Sequence, residues 1–360
     1  MEAKPTQVIK IFYSYASEDK PLRDELEKQL KPLKRQGQIS EWHDQAIQAG
    51  TPWGQEIDAH LSTSDIILLL ISPDFFASEY CWSNEMQHAL ERHRKGVARI
   101  IPIILRPVDW RLTPLGALQA LPRGGNPITR WPDRDEALEA VASGIRDVVT
   151  TLLIQRGDPR TIYMQVTSTR PTFSDRLDHQ SPLRWSNDGK IALFEQGAYH
   201  LYIREQNVYR CGWAQEIDLG NVAFQAEMTI LEGDGGGMVF RAGQNEPSGY
   251  RFSVSRYGSH CIYGKTVLTQ LSAPKADLNH IYLLTVIARN SSLLLYVNKK
   301  CIASIVDDSA TSGRIGFMAV NHATQDQAHV IFRNAQVWNL ANNDPWEIPL
   351  PFGSDLFGLP

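Results

Sequence analysis

The sequence predicts a two-domain protein in which an α/β domain with a parallel sheet precedes an all-β sandwich. The 360 residues exceed the usual size of a single core. Up to about residue 155, short apolar runs alternate with segments of helical periodicity, whereas from about residue 163 strand-like runs are separated by turn residues. We therefore place the α/β domain at 1–156, a linker at 157–164, the sandwich at 165–340 and a Pro-rich tail at 341–360.

The first half alternates predicted strands with predicted helices. The strands are expected at 8–15, 37–42, 65–72 and 98–110, with a short fifth near 126–131. Helices are expected from an N-cap at Ser17, from Thr51 and Pro52, from about Ser83 to His93, and over 133–153. This alternation indicates a parallel sheet covered by helices on both faces. The run IILLLI at 66–71 is apolar on both faces, as a central parallel strand should be.

The second half lacks helical periodicity and reads as a series of short strands. Runs such as NVAFQAEMTI, GYRFSVSRY and HIYLLTVIAR are separated by Gly, Asn, Asp and Ser. Strands at this density, joined by turn residues, favour an antiparallel β-sandwich.

Composition and charge exclude several classes of protein. The net charge is −4 and the pI is near 6.2, which argues against a broad surface for binding nucleic acid. The four cysteines are widely spaced and the histidines lack H-E-x-x-H spacing, so no disulfide framework and no metal site is predicted. The N-terminus lacks an apolar signal core, and no apolar run is long enough for membrane insertion. We expect a cytoplasmic protein.

The sequence signatures of three common α/β folds are absent from this chain. The first strand ends in Tyr13-Ser14-Tyr15 and the third in Ser72-Pro73, where a phosphate-receiver domain would carry acidic residues. The chain has no G-x-x-x-x-G-K-[ST] motif, which excludes a Walker-type NTPase, and no G-x-G-x-x-G after its first strand, which excludes a dinucleotide-binding fold.

Four segments follow one another along the first half of the chain: KIFYSYASEDKPL, EWHDQAIQAGTPWGQEIDAHLSTSDIILLLIS, SPDFFASEYCWSNEMQHAL and RIIPIILRPVDW. In this order they resemble the sequence boxes of a bacterial-type Toll/interleukin-1 receptor (TIR) domain. The resemblance covers roughly residues 8–155 and implies a flavodoxin-like parallel sheet. It also implies self-association through the loop after the second strand, formed by His43, Asp44, Gln45, Ala46, Ile47, Gln48, Ala49 and Gly50.

Many TIR domains are adaptors, and others cleave NAD+ at the nicotinamide–ribose bond. The enzymes carry a glutamate at the start of the helix after the third strand, and this resemblance assigns that position to Glu85. Independent chemistry supports a carboxylate there, because cleaving an N-glycosidic bond builds positive charge on the ribose. A helix N-terminus favours the ionised carboxylate. NAD+ would be the substrate, so no separate cofactor is expected.

Other residues are candidates for binding the substrate. Tyr13 and Ser14 end the first strand, at the rim where adenosine or ribose would lie, with strand-end packing as the alternative. Trp42 and Asp44 either line the site or fix the loop that follows. Cys81 stands where enzymatic relatives often carry Trp, and Trp82 is adjacent to it.

The second half is similar to concanavalin-like and laminin-G-like sandwiches, mainly over residues 223–258. Trp213, Arg241 and Tyr250 are candidates for binding a carbohydrate or another ligand, with a structural role for Arg241 as the alternative. A glycosidase reading is disfavoured, because Asn221 stands where sandwich glucanases place the second Glu of E-x-D-x-x-E. In GDGGG at 233–237 we favour a turn over a calcium site.

Taken with the resemblance, these features predict an NAD+ glycohydrolase that releases nicotinamide and ADP-ribose or a cyclic isomer. Self-assembly of TIR domains would activate it, and the sandwich would sense a ligand or organise the assembly, in an antiphage or stress response. The alternative is a non-enzymatic TIR scaffold with a carbohydrate-binding module.

Overall fold

The computed structural model describes residues 8–42, 53–78, 86–181, 183–243, 249–263, 266–271, 275–322 and 327–340. These residues divide into two units between Asp158 and Pro159, and the two are described separately below.

The first unit is built on a parallel sheet. Its four strands are β1 (Ile9–Ser14), β2 (Ile39–Trp42), β3 (Ile66–Ile71) and β4 (Arg99–Ile104). They lie in the order β2-β1-β3-β4, and every described pairing between them is parallel. Its helices are α1 (Lys20–Arg35), α2 (Trp53–Thr63), α3 (Pro73–Ala77), α4 (Met86–Arg94) and α5 (Arg134–Gln155). The predicted parallel α/β fold is confirmed.

Helices cover both faces of this sheet, as its apolar strands require. Ile9, Ile11 and Tyr13 of β1 pack in one apolar cluster with α1 and α5. Phe12 of the same strand packs in a second cluster with residues of α2, α3 and α4. Alternate residues of a strand point to opposite faces, so this division follows from the pleat.

The prediction of a fifth strand near residues 126–131 is wrong. Residues 128–130 form a short 3-10 helix preceded by Pro127, which has no N–H to donate to a sheet. Leu121 instead lies beside β4, where it donates to the Pro102 carbonyl at 2.8 Å and accepts from the Ile104 N–H at 2.9 Å.

Two helix starts also differ from the prediction. Residues 17–19 form a 3-10 turn and α1 begins at Lys20, so Ser17 is not its N-cap. The short helix α3 was not predicted; the Ser72 hydroxyl caps it by accepting from the Phe75 N–H at 3.0 Å. Leu22, Leu26, Leu30 and Leu33 recur at helical spacing along α1, and all four are buried.

The second unit is an antiparallel β-sandwich, as predicted. The strands are β5 (Phe173–Asp175), β6 (Ala192–Glu195), β7 (Ala198–Ile203), β8 (Val208–Trp213), β9 (Val222–Glu232), β10 (Gly235–Ala242), β11 (Tyr250–Ser255), β12 (Gly258–Tyr263), β13 (Thr266–Leu271), β14 (Ile281–Arg289), β15 (Ser292–Val297), β16 (Lys300–Val306), β17 (Arg314–Asn321) and β18 (Ala328–Asn339). One sheet has six strands in the order β13-β12-β11-β10-β17-β8, and the other has the order β16-β15-β14-β9-β18-β7-β6 with β5 paired to β18. Trp185 lies in the core between the sheets, stacked on Phe317 with ring centroids 4.7 Å apart.

Most of the segment expected to be a linker is helical and packs on the sandwich. Helix α6 (Pro159–Thr167) places Ile162, Tyr163 and Val166 in an apolar cluster with residues of β9, β14, β15 and β18. The Tyr163 hydroxyl donates to Gln225 at 2.9 Å, and the Tyr296 hydroxyl donates to the Pro159 carbonyl at 2.8 Å. The sandwich unit therefore begins at Pro159.

A pair of histidines, buried His200 and half-buried His329, joins β7 to β18 in the sandwich. His200 Nδ1 lies 2.8 Å from His329 Nε2, and Tyr202 stacks on His329. Burial lowers the pKa of both imidazoles, and the neighbouring His200 lowers that of His329 further. Glu195 and Glu232 act in the opposite direction on His329, and Arg333 adds to the lowering at His200.

We expect the sandwich to lose stability as the pH falls through about 6.5, the ordinary histidine pKa. Because the pKa of each folded imidazole is lowered, protons bind the unfolded chain more readily, so the stabilisation is present above that pH and disappears below it. The calorimetric Tm of the sandwich should fall between pH 7.5 and 5.5, and fall less in His329→Gln. His179→Gln, at an exposed side chain, is the control; an unchanged pH slope in His329→Gln would contradict this assignment.

Candidate functional site at the carboxyl edge of the parallel sheet

The strand order of the first unit places a topological switch point between β1 and β3, and the space beyond the carboxyl ends of these strands is called the crevice below. From β1 the chain passes to β2 on one side and then returns to β3 on the other. In open α/β sheets, ligands bind at such a switch point, beyond the carboxyl ends of the strands. Ser14 ends β1, Trp42 ends β2, Ser72 follows β3, and Arg106 lies two residues beyond β4.

Trp42 is the centre of an aromatic stack. It lies opposite Phe12 in the β1–β2 register, with ring centroids 5.4 Å apart. Its ring also stacks on His60 of α2 at 4.1 Å. Phe12 and His60 thus contact Trp42, and the stack ties α2 to the end of β2. This arrangement supports the packing interpretation of Trp42 over a role as an open stacking platform.

Tyr13 and Ser14 point to opposite faces of the sheet. Tyr13 is 2% exposed on the α1 and α5 face, where its hydroxyl donates to Glu41 Oε1 at 2.5 Å. Burial and then the Glu41 carboxylate raise the pKa of Tyr13 well above its ordinary value. Ser14 is 3% exposed and shares the face of Phe12. Of the two, only Ser14 lies on the Trp42 side of the sheet.

A polar network crosses the crevice, and the sequence alone did not reveal it. Asp19 is 1% exposed; the Ser72 hydroxyl donates to its Oδ2, and Arg106 Nε donates to its Oδ1 at 3.0 Å. Arg106 Nη2 also donates to Asp74, in the first turn of α3. The polar residues that follow strands β1, β3 and β4 are therefore joined. Their strand-end positions were the available signal.

Several predicted site residues lie outside the described residues: Glu85, Cys81 and Trp82, and the loop at 43–50 with Asp44. Met86, which directly follows Glu85 in sequence, begins the described part of α4 and is 3% exposed. It belongs to the apolar cluster that contains Phe12 and that Trp42 contacts. The residue after Glu85 is therefore fixed in the same layer as the Trp42 stack.

Arg241 and Tyr250 of the sandwich are enclosed. Arg241 is 1% exposed and has a left-handed backbone, with φ of 49°. It donates to the carbonyls of Gly220, Asn290 and Ala310 at 2.7–3.1 Å. The Tyr250 hydroxyl donates to Asp307 Oδ1, and burial, followed by this bond, raises the pKa of Tyr250 to about 12. Both side chains connect loops at one end of the sandwich, which favours a structural role.

Trp213 lies apart from Arg241 and Tyr250. It is half-buried on β8, in a small apolar cluster with Val239 and Met318, separate from the core between the sheets that holds Tyr250. A Cβ at Gly316 would lie 2.9 Å from the indole, so this glycine makes room for the ring. The Arg314 guanidinium lies 4.8 Å from the ring centroid.

Three further sandwich residues considered in the sequence analysis, Asn221, Glu216 and Asp234, make hydrogen bonds or ion pairs within the sandwich. Asn221 Oδ1 accepts from the Asn290 N–H at 2.9 Å, and exposed Glu216 pairs with Arg184 at 3.1 Å. Asp234 of the GDGGG turn is fully buried and accepts from the His322 N–H.

Within the described ranges, no helix combines the length and apolar composition needed to cross a bilayer.

The two architectures define a doubly wound α/β domain followed by an antiparallel β-sandwich. Residues 11–141 match the family model of the TIR domain. The chain therefore contains a TIR domain, as its sequence boxes and its β2-β1-β3-β4 sheet together indicated.

Among curated proteins, the chain is similar to the uncharacterized protein y4lF of Sinorhizobium fredii. The two are 56% identical over 137 residues, which are 38% of this chain and 42% of that protein. The chain thus covers less than half the length of this relative.

Solved structures align with somewhat less than half of this chain. The carbohydrate-binding module CBM66 of Bacillus subtilis aligns at 15% identity over 43% of this chain and 94% of its own, with a TM-score of 0.37. A Bacillus subtilis protein of unknown function with a galectin-like fold aligns at 16% identity over 48% and 96%, also at 0.37. The exoplasmic/lumenal domain of VIP36, in its Ca²⁺/Man-bound form, aligns at 14% identity over 46% and 89%, at 0.38.

Proposed function

We propose that this protein is a TIR-type NAD+ glycohydrolase in which Glu85 is the catalytic carboxylate. The TIR family includes NADases, and residues 11–141 match it. The observation that supports the proposal is that Met86, which follows Glu85 in sequence, anchors the described start of α4 in the apolar cluster that Trp42 contacts. A carboxylate at the start of a helix, beside the carboxyl edge of a parallel sheet, suits a substrate that becomes cationic.

The reaction breaks the bond between the nicotinamide nitrogen and C1′ of the ribose. The bonding electrons go to the nicotinamide nitrogen, which loses its positive charge, while positive charge develops on the ribose ring. Glu85 stabilises that charge electrostatically and binds ribose hydroxyls. Water then adds at C1′ and releases a proton, which gives ADP-ribose. If a nitrogen of the adenine adds in its place, the product is a cyclic isomer.

Assembly is the proposed means of activation. The loop at 43–50 would contact a neighbouring copy and complete its site, and the sandwich would sense a carbohydrate or another ligand, or organise the assembly. Depletion of NAD+ in antiphage or stress defence is the proposed biological consequence.

The rate of nicotinamide release per protomer should therefore rise with protein concentration. Ile47→Glu should lower that rate at high concentration by about tenfold or more, because a charge in the contact costs several kcal/mol. Leu112→Glu, at a side chain that is 88% exposed, is the matched control and should behave as wild type. Light scattering on the same samples reports assembly. Assemblies that form and leave NAD+ intact would contradict the enzyme and favour the scaffold.

A further inference from the structure

Two imidazole rings meet on the outer face of the sheet that contains β7 and β18. Leu201 and Val330 point into the core between the sheets. Their chain neighbours His200 and His329 therefore lie on the opposite face. His329 is paired with Tyr202 in the β18–β7 register, which makes His200 its diagonal neighbour. The register thus places the two imidazoles side by side.

The distance between the two rings fits a shared metal ion. His200 Nδ1 and His329 Nε2 are 2.8 Å apart. Bonds from imidazole to a metal such as zinc are about 2.0–2.1 Å long, so an ion bonded to both nitrogens would have an N–metal–N angle of about 85°. This angle is close to the right angle of the tetragonal sites that suit Cu²⁺ and Ni²⁺, and it is well below the tetrahedral angle that Zn²⁺ adopts in structural sites.

Oxygen atoms lie next to the imidazole pair. The Tyr202 hydroxyl oxygen is 3.3 Å from His200 Nδ1 and 3.3 Å from Glu195 Oε2, and the Tyr202 ring stacks on His329. Among the residues that the structure describes, no His, Cys, Asp or Glu joins the two histidines to form a three-ligand group. The remaining positions on a bound ion would therefore go to Tyr202 and water, and two nitrogens with oxygen ligands suit Cu²⁺.

Both rings can present a lone pair to the ion. A metal ligand must be a neutral imidazole, and burial lowers the pKa of both histidines. A neutral imidazole has one N–H and one lone pair, so in the metal-free pair one ring donates to the other. When an ion takes the place of that proton, the donating ring carries its proton on its other nitrogen, and no proton leaves the pair. His200 is 4% exposed and His329 is half-buried, so the ion would approach from the His329 side.

We propose that His200 and His329 form a transition-metal site that prefers Cu²⁺ and ties β7 to β18. The two histidines are 129 residues apart, so no ligand spacing in the sequence indicated the site. Every residue of the site belongs to the sandwich, and the proposal does not depend on the NAD+ reaction.

Calorimetric titration of the metal-free full-length protein with Cu²⁺ tests the site, with glycine in the buffer as a competing ligand. We expect one tightly bound Cu²⁺ per chain in the wild type. His200→Gln and His329→Gln should each lower the affinity by about 100-fold or more, because losing even an outer-shell partner costs about 10- to 100-fold. Zn²⁺ should bind more weakly than Cu²⁺.

The matched control is His280→Gln. His280 is an exposed histidine of the sandwich that also contacts a tyrosine ring, that of Tyr282, with ring centroids 4.8 Å apart. Its replacement should leave Cu²⁺ affinity within about twofold of wild type, because a surface change away from the site has little effect.

Two further measurements locate the ion. Electron paramagnetic resonance of the Cu²⁺ complex should show coupling to two imidazole nitrogens in the wild type. Amide exchange in residues 200–203 and 328–330 should become slower when Cu²⁺ is added to the wild type, and it should not change in His329→Gln, because the ion stabilises the state that binds it. If His200→Gln does not fold, His329→Gln alone decides, since the half-buried ring is the easier one to replace.

The proposal is overturned if Cu²⁺ binds His329→Gln as tightly as wild type, if the resonance shows fewer than two nitrogens, or if Zn²⁺ binds as tightly as Cu²⁺. The two imidazoles would then be hydrogen-bonded partners and nothing more. None of these measurements uses NAD+, so a wild-type assembly that releases no nicotinamide would contradict the proposed function and leave this site unaffected.

Discussion

Glu85→Gln is expected to lower kcat for nicotinamide release by about 10³-fold with little change in KM. The substitution keeps the size and the polarity of the side chain and removes its charge. Because the positive charge on the ribose exists in the transition state and is absent from bound NAD+, the loss should appear mainly in kcat. Initial rates of nicotinamide release over a range of NAD+ concentrations measure both parameters.

Glu91→Gln is the control for this prediction on the same helix. Glu91 is 60% exposed and pairs with Lys95 at 2.7 Å, a hydrogen bond that lowers the pKa of the carboxyl. Its replacement should leave kcat within about twofold of wild type, since surface pairs contribute little. Equal activity of wild type and Glu85→Gln would move catalysis to another carboxylate, with Asp74 at the crevice as the first to examine.

Arg241→Met is expected to reduce the stability of the sandwich by about 3 kcal/mol or more. The methionine fills part of the space but leaves the carbonyls of Gly220, Asn290 and Ala310 without the donor that now satisfies them. The left-handed backbone at this position adds strain for any residue that lacks these bonds. Chemical denaturation, followed through the near-UV signal of the sandwich, measures the change.

Arg204→Met provides the comparison at an exposed arginine and should change stability by no more than about 0.5 kcal/mol. A sandwich that tolerates both substitutions equally would show that Arg241 has no structural role and would revive it as a ligand-binding residue.

Much of the fold followed from periodicity. Strands β1, β3 and β4 are short and mostly apolar, and the apolar positions of α1 recur at helical spacing, so the type and order of these elements were predictable. Helix α6 was not, because Thr161, Ile162, Tyr163 and Val166 favour strands locally and become helical by packing on the sandwich. Residues 128–130 failed as a strand because Pro127 removes a donor.

The candidate site was less predictable because it depends on contacts between distant residues. Asp19 and Arg106 are 87 residues apart, and nothing in either neighbourhood indicates the other. Strand-end position suggested Tyr13 as a ligand contact, although strand alternation places it with Ile9 and Ile11 on the face covered by α1 and α5. For Arg241 the sequence left ligand binding and a structural role open, and its left-handed backbone and three carbonyl partners favour the structural role.

The most direct test of the proposed function is a proton NMR time course of NAD+ with wild-type protein at a concentration where light scattering shows assembly. We predict that the NAD+ resonances decline while those of nicotinamide grow in equal amount, and that Glu85→Gln at the same degree of assembly leaves NAD+ unchanged over the same period. NAD+ that stays intact in the presence of wild-type assemblies would contradict the account and leave a TIR scaffold joined to a β-sandwich.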